Sequence, residues 1–118
     1  MQPETLFPNS IRSALADEPG LAEILPVFLA ELPLQVRRLL NLIQRRDAKE
    51  LRRLIHQIKG CGGGYGFQSL TDLARDIECQ LMSNAPIENI ATKVEELVQT
   101  MRLVEGYDRK RETLTSDA

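Results

Sequence analysis

Apolar residues recur at intervals of three and four positions along most of this 118-residue chain, and this spacing constrains the fold more than any other feature. Residues spaced in this way lie on one face of an α-helix. No segment shows the alternation of apolar and polar residues that is typical of a half-buried β-strand. The pattern therefore predicts an all-α protein with one modest core.

Two short N-terminal helices are predicted, over residues 10–16 and 20–31, the second kinked or broken at Pro26 because proline disrupts a helix interior. Four longer helices are predicted to follow, beginning near these residues: Pro33, Ala48, Ser69 and Ile87. Short connections between long helices favour antiparallel neighbours. The expected fold is an antiparallel up-down-up-down four-helix bundle with the short N-terminal helices packed at one end.

The predicted bundle occupies residues 20–105, and segments of different character flank it. Residues 1–19 form a lead-in that includes the first short helix. Residues 106–118 begin with glycine and are mostly polar, so this tail is expected to fray. Within the bundle, Asp47 is a favourable N-cap for the helix that begins near Ala48.

The charge of the chain is unevenly distributed, although the net charge is only −2. Residues 37–59 contain eight basic residues and two acidic ones, so the acidic excess lies elsewhere. A basic segment of this kind attracts an acidic protein surface or a phosphoryl group. Nucleic acid is a less favoured partner, because the arginines of residues 37–46 are spread over several faces of one helix.

Several classes of protein are disfavoured by the composition. No apolar run approaches the ~20 residues of a membrane-spanning helix, and the first residues lack the basic and apolar blocks of a signal peptide. Two cysteines, Cys61 and Cys79, provide neither a disulfide framework nor a metal-binding pattern. We therefore expect a cytoplasmic protein with no membrane partner and no metal site of its own.

The only histidine, His56, lies in a stretch, residues 54–66, that holds five of the seven glycines. On a helical wheel it lies about 140° from the centre of the apolar face, so it is expected to point to solvent. A glycine in a helix interior costs roughly 1 kcal/mol relative to alanine. Three consecutive glycines, 62–64, would fray the end of this helix, which suggests that something other than stability requires a bare surface here.

The neighbours of His56 on the helix surface lie three, four and seven positions away. On one side the neighbours are the cations Lys59 and Arg52, and a third cation, Lys49, lies one turn before Arg52. On the other side they are glycines: Gly60 and Gly63. The cations are expected to keep the imidazole neutral and nucleophilic and to favour a phosphoryl group attached to it, while the glycines leave room for another protein's active site.

Residues 56–66 have the pattern His-x-Ile-Lys-Gly-x-Gly-x-x-x-Gly, which resembles the signature of histidine phosphotransfer (HPt) domains of multistep two-component phosphorelays. The resemblance covers roughly residues 20–105 through further positions: Phe28, Leu29, Pro33, Asp47, Leu51, Leu70, Leu73, Ala74, Ile77 and Glu78. It implies a phosphoryl carrier without kinase activity of its own. Such a carrier accepts a phosphoryl group from the aspartate of a receiver domain and passes it to another receiver.

The resemblance also implies roles for the residues around the histidine. His56 matches the phospho-accepting residue, and Lys59, assisted by Arg52, would stabilise the phosphoryl group. The residues expected to form the receiver-docking surface are Lys49, Arg52, Gly60 and Gly63. The implied partners are response-regulator receiver domains and a hybrid histidine kinase, with Mg²⁺ bound by the receiver and this chain a monomer.

Two alternatives remain open at this point. A degenerate HPt domain would bind receivers or other acidic partners without phosphotransfer. The dimerisation helices of a sensor histidine kinase also carry an exposed histidine, but there an acid follows it directly, whereas Gln57 occupies that position here. The chain also lacks the glycine boxes of an ATP-binding domain.

Overall fold

A computed structural model describes residues 10–114 of the chain, and its regular structure is helical apart from one isolated bridge. Four long helices follow one another: α1 (Leu21–Gln44), α2 (Ala48–Gly64), α3 (Gln68–Met82) and α4 (Ile87–Arg102). A single turn, α5 (Arg111–Leu114), ends the described part. Each long helix packs against the next in the chain, and α4 closes the bundle against α1. The predicted antiparallel four-helix bundle is confirmed.

Helix α1 replaces two of the predicted helices. It runs without interruption through both Pro26 and Pro33, so of the kink or break predicted at Pro26, the break is absent. A proline inside a helix removes one hydrogen bond of the ladder and crowds the preceding turn. Burial of the apolar face of α1 offsets that cost, because Leu32 and Val36 are fully buried in the core.

The predicted helix over residues 10–16 is absent. Ile11 instead pairs with the chain just after α4, through Ile11 N to Leu103 O (2.8 Å) and Glu105 N to Ile11 O (2.6 Å). Ala14 N donates to Gly66 O in the α2–α3 connection (2.9 Å). The backbone groups that would form a helix thus bond to two other segments, and residues 11–14 act as a strap across one end of the bundle.

The tail is also more ordered than predicted, as far as residue 114. Arg102 at the end of α4 donates to both carboxylate oxygens of Glu112, at 2.9 and 2.7 Å, and Tyr107 donates to the same carboxylate. The Arg102 and Glu112 side chains are largely buried, and α5 packs against α1. A bidentate pair of this kind holds a polar segment in place. The predicted fraying is wrong for residues 106–114, and residues 115–118 of the tail lie outside the described residues.

Helix α2 begins and buries its apolar face as predicted. The Asp47 carboxylate accepts a hydrogen bond from Glu50 N at 3.2 Å, which caps the helix. Its buried residues are Leu51, Leu54, Ile55, Ile58 and Gly62. The helix continues through the glycine run to Gly64, after which the Tyr65 ring stacks on Phe28 with 4.3 Å between centroids. That contact anchors the end that the glycines were expected to fray.

No helix within residues 10–114 is long and apolar enough to cross a membrane.

Candidate functional site

His56 stands on the outer face of α2, as the wheel predicted. Its side chain is 68 % exposed, whereas Ile55 and Ile58 beside it in the chain are buried in the core. The apolar stripe of α2 therefore fixes the direction of the imidazole, because the histidine lies on the opposite side of the same helix.

A carboxylate from the neighbouring helix holds one nitrogen of this ring. Nδ1 of His56 lies 2.8 Å from Oε2 of Glu78 in α3, whose side chain is only 12 % exposed. An ionised carboxylate can only accept hydrogen bonds, so Nδ1 carries the proton in this contact. The neutral ring then has its lone pair on Nε2, on the far side from Glu78. The arrangement leaves a nucleophilic nitrogen with no hydrogen bond to any group of residues 10–114.

Lys59 occupies the other oxygen of the same carboxylate. Its Nζ donates to Glu78 Oε1 at 2.6 Å. The hydrogen bond from Lys59, followed by that from His56, holds the pKa of Glu78 below its usual value despite partial burial. The sequence predicted only cations around His56. Its nearest charged partner is instead an acid, which lies between the imidazole and the Lys59 ammonium.

A second side chain of α3, Thr71, contacts the backbone of α2 beyond Lys59. Its hydroxyl donates to Lys59 O at 2.9 Å and accepts from Gly63 N at 2.7 Å. These are the carbonyl and the amide that an α-helix joins directly in its own i→i−4 ladder. Glu78 and Thr71 therefore attach α3 to both the side chain and the main chain of Lys59.

The glycines near His56 have different surroundings. A Cβ on Gly60 would meet nothing within 4 Å, so this surface is open. A Cβ on Gly63 would lie 3.3 Å from Gln68 Oε1 and 3.4 Å from Thr71 Oγ1, so Gly63 packs against α3. Of the two glycines predicted to form the docking surface, only Gly60 leaves its flank wholly open.

A groove of about 670 Å³ extends from His56 towards the start of α2. Its lining residues are Ala48, Lys49, Arg52, Arg53, His56, Glu78 and Leu81. Lys49 and Arg52 are exposed, and neither pairs with an acid among residues 10–114, whereas Arg53 lies 3.5 Å from Glu50. The groove thus brings Lys49 and Arg52 to one side of the imidazole, Lys59 is bonded to Glu78, and the surface at Gly60 is open.

The local sequence around His56 did not reveal the contacts of Glu78 and Thr71. One signal for Glu78 was available, because it follows Ile77 and lies four positions after Ala74, both fully buried. An acid at the edge of a buried stripe needs a partner. Thr71 gave no such signal, since a threonine on a helix is ordinarily a neutral surface residue.

Comparison with protein families identifies the family of this chain. The family model described as "Hpt domain" matches residues 23–109, well over half of the chain. The chain belongs to the Hpt domain family. This Hpt domain has a phosphotransfer-related role in two-component signalling, and members of the family are phosphoryl carriers that interact with receiver domains. No curated protein and no solved structure gives a significant match.

Proposed function

We propose that this chain accepts a phosphoryl group on His56 from the aspartate of one receiver domain and passes it to another. The single observation that carries the proposal is the exposed imidazole whose Nδ1 is held by Glu78, so that the lone pair of the neutral ring is on the other nitrogen, Nε2. A nucleophile for phosphoryl transfer needs a free lone pair directed at solvent, from which an in-line approach is open.

In the proposed step, the Nε2 lone pair of His56 attacks the phosphorus of the receiver's aspartyl phosphate. The new P–N bond forms as the P–O bond to the aspartate breaks, and the aspartate leaves as a carboxylate. The ring keeps its Nδ1 proton and so acquires a positive charge. Glu78, already bonded to that proton, stabilises the charge. Reversal of the same step delivers the group to the second receiver.

Cations of this chain are proposed to neutralise the phosphoryl oxygens during transfer. Lys59 is bonded to Glu78 next to the imidazole, and Arg52 lines the groove one helical turn before His56. Neutralisation of these oxygens and positioning supply most of the catalysis in phosphoryl transfer. We propose that Mg²⁺ contributes from the receiver.

The proposed docking surface surrounds His56 on α2 and extends to α3. Lys49 and Arg52, which pair with no acid in the described part of the chain, offer positive charge to an acidic partner, and Gly60 leaves space for close approach. Gly63 belongs to this surface only in part, because it packs against α3. Met82, one turn after Glu78, adds an apolar side chain that is 59 % exposed. A hybrid histidine kinase is the proposed source of phosphoryl groups, and the carrier is proposed to act as a cytoplasmic monomer.

The experiment is phosphotransfer from a panel of phosphorylated receiver domains to the purified chain. Uptake of an acid-labile, base-stable label by the wild type, and none by His56→Gln, is the expected result. Gln57→Ala is the matched control, because Gln57 is the exposed neighbour in the same helix. Equal labelling of wild type and His56→Gln would refute the proposal. Binding of receivers without any transfer would favour the degenerate, binding-only alternative.

A further inference from the structure

The residues through which α2 and α3 contact each other at the site are spaced at corresponding intervals on the two helices. On α2, His56, Lys59 and Gly63 follow one another at intervals of three and four, and on α3, Thr71 and Glu78 lie seven positions apart. Seven residues are about two helical turns, or about 10 Å. Because α2 and α3 are antiparallel, Glu78 meets the start of the α2 stripe and Thr71 meets its end.

The Thr71 hydroxyl lies against a part of α2 where glycines carry no side chain. A Cβ on Gly62 would lie 2.8 Å from Thr71 Oγ1 and 3.2 Å from Thr71 N. A side chain at Gly62 would therefore push Thr71 away from the α2 backbone, whereas a Cβ at Gly63 would lie 3.4 Å from Thr71 Oγ1, an ordinary contact. Part of the glycine run makes room for one threonine rather than for a partner protein.

We propose that Thr71 is a positioning residue for phosphotransfer, whose hydroxyl pins the α2 turn over residues 59–63 against α3 and thereby holds Lys59 against Glu78. The inference rests on the proposed function. The Lys59 carbonyl is hydrogen-bonded to Thr71 and its ammonium to Glu78, so both its backbone and its side chain are attached to α3. Without the hydroxyl, Lys59 O and Gly63 N lose their partner in α3, and the turn loses this attachment.

The first experiment measures the rate of transfer from a phosphorylated receiver to His56. Thr71→Val and Thr71→Ala both remove the hydroxyl, and each is expected to slow transfer about fivefold, the effect of one ordinary hydrogen bond. Thr71→Ser keeps the hydroxyl and should stay within about twofold of the wild type. Thr100→Val is the matched control, since the Thr100 hydroxyl donates to Glu96 O at 2.9 Å in α4, away from the site.

A double-mutant cycle tests whether Thr71 acts through Lys59. Lys59→Ala is expected to slow transfer without abolishing it, and adding Thr71→Val to it should slow transfer little further. The same cycle, measured by urea unfolding of the free protein, should show a coupling of about threefold or more in the unfolding equilibrium constant. Thr100→Val combined with Lys59→Ala should show none.

The inference would be overturned by normal transfer by both Thr71→Val and Thr71→Ala, by slow transfer by Thr71→Ser, or by additive effects of the Thr71 and Lys59 substitutions on the transfer rate. Coupling in unfolding with normal transfer would also overturn it, because Thr71 would then be structural only. Failure of the proposed function is distinguishable, since the wild type would then take up no label while the unfolding cycle still reports whether Thr71 and Lys59 are coupled.

Discussion

His56 and Glu78 form a contact between an exposed ring and a nearly buried acid, with 2.8 Å between Nδ1 and Oε2. The acid is fixed by the packing of α3, whose Ala74 and Ile77 are fully buried. The orientation and tautomer of the imidazole therefore depend on the seating of α3 against α2 as well as on α2 itself. This dependence makes Glu78 the first target for substitution.

Glu78→Ala is expected to slow phosphotransfer about tenfold, since a charge-assisted hydrogen bond contributes about 1.5–3 kcal/mol. Both His56 and Lys59 lose their acceptor in this variant. Glu78→Gln should have an intermediate rate, because its carbonyl oxygen replaces only one of the two carboxylate oxygens and its NH2 group cannot accept from the other donor. Single-turnover transfer kinetics measure the effect, and a rate for Glu78→Ala equal to that of the wild type would exclude a role for the carboxylate.

Gly60→Leu is expected to block transfer and leave the fold intact. Nothing lies within 4 Å of a Cβ at this position, and leucine favours a helix by about 0.8 kcal/mol over glycine, so stability should not fall. The added side chain would stand next to His56, where the receiver must approach. Transfer kinetics and urea unfolding are measured together. Unchanged transfer would show that close approach at Gly60 is unimportant.

Gly62→Ala, unlike Gly60→Leu, is expected to lower the free energy of unfolding. Its Cβ would lie 3.2 Å from Thr71 N, a backbone atom that cannot move alone, so the helices must separate. A loss of about 1–3 kcal/mol is expected, the usual cost of overpacking a tight contact. Gly64→Ala is the control, because a Cβ there meets nothing within 4 Å and alanine should stabilise the helix. Equal stability of the two variants would contradict the close α2–α3 packing.

Gly66→Ala is expected to destabilise the bundle by about 2 kcal/mol or more through backbone strain and collision. Gly66 has φ +87°, and a Cβ would meet Ser13 Oγ and lie 2.9 Å from Ala14 N in the N-terminal strap. Gly106→Ala is the control, since φ is +94° there but the nearest contact is the flexible end of Leu29. Urea unfolding should show a larger loss for Gly66→Ala, and the reverse order would argue against a tightly packed strap.

Stability is expected to fall in acid as Glu112 becomes protonated. The hydrogen bond from Arg102 is the main reason why the pKa of Glu112 is below its usual value, and the Tyr107 hydroxyl contributes. Because the folded-state pKa is the lower one, the stabilisation is present above the unfolded value of about 4.3 and is lost as pH falls through the folded value.

Urea unfolding between about pH 7 and pH 3 measures this dependence. Glu112→Gln should be less stable than the wild type at neutral pH and should lose less stability on acidification. Glu105→Gln is a suitable control, because Glu105 is exposed and lies 3.7 Å from the exposed Arg12. An acid dependence that is the same in the wild type and in Glu112→Gln would show that Glu112 does not contribute to it.

Patterns within single helices were the reliable part of the prediction. The cap at Asp47, the buried stripe of α2 and the exposed position of His56 all depend on residues within a few turns of one another. The errors arose where the structure of a segment depends on contacts with residues far away in the sequence. Proline alone predicted a break in α1, but packing along its whole length keeps the helix continuous, and the polar tail is held by Arg102 of another helix.

The sequence by itself determined that the chain forms a helical bundle and presents one histidine between cations and glycines, because apolar periodicity and neighbour spacing act within a helix. Only the tertiary structure decided which groups hold that histidine and its lysine. Glu78 lies 22 residues after His56 and Thr71 lies 12 residues after Lys59, so both contacts depend on the register of α3 against α2. No pattern within a single helix specifies that register, since it results from how two buried faces interlock.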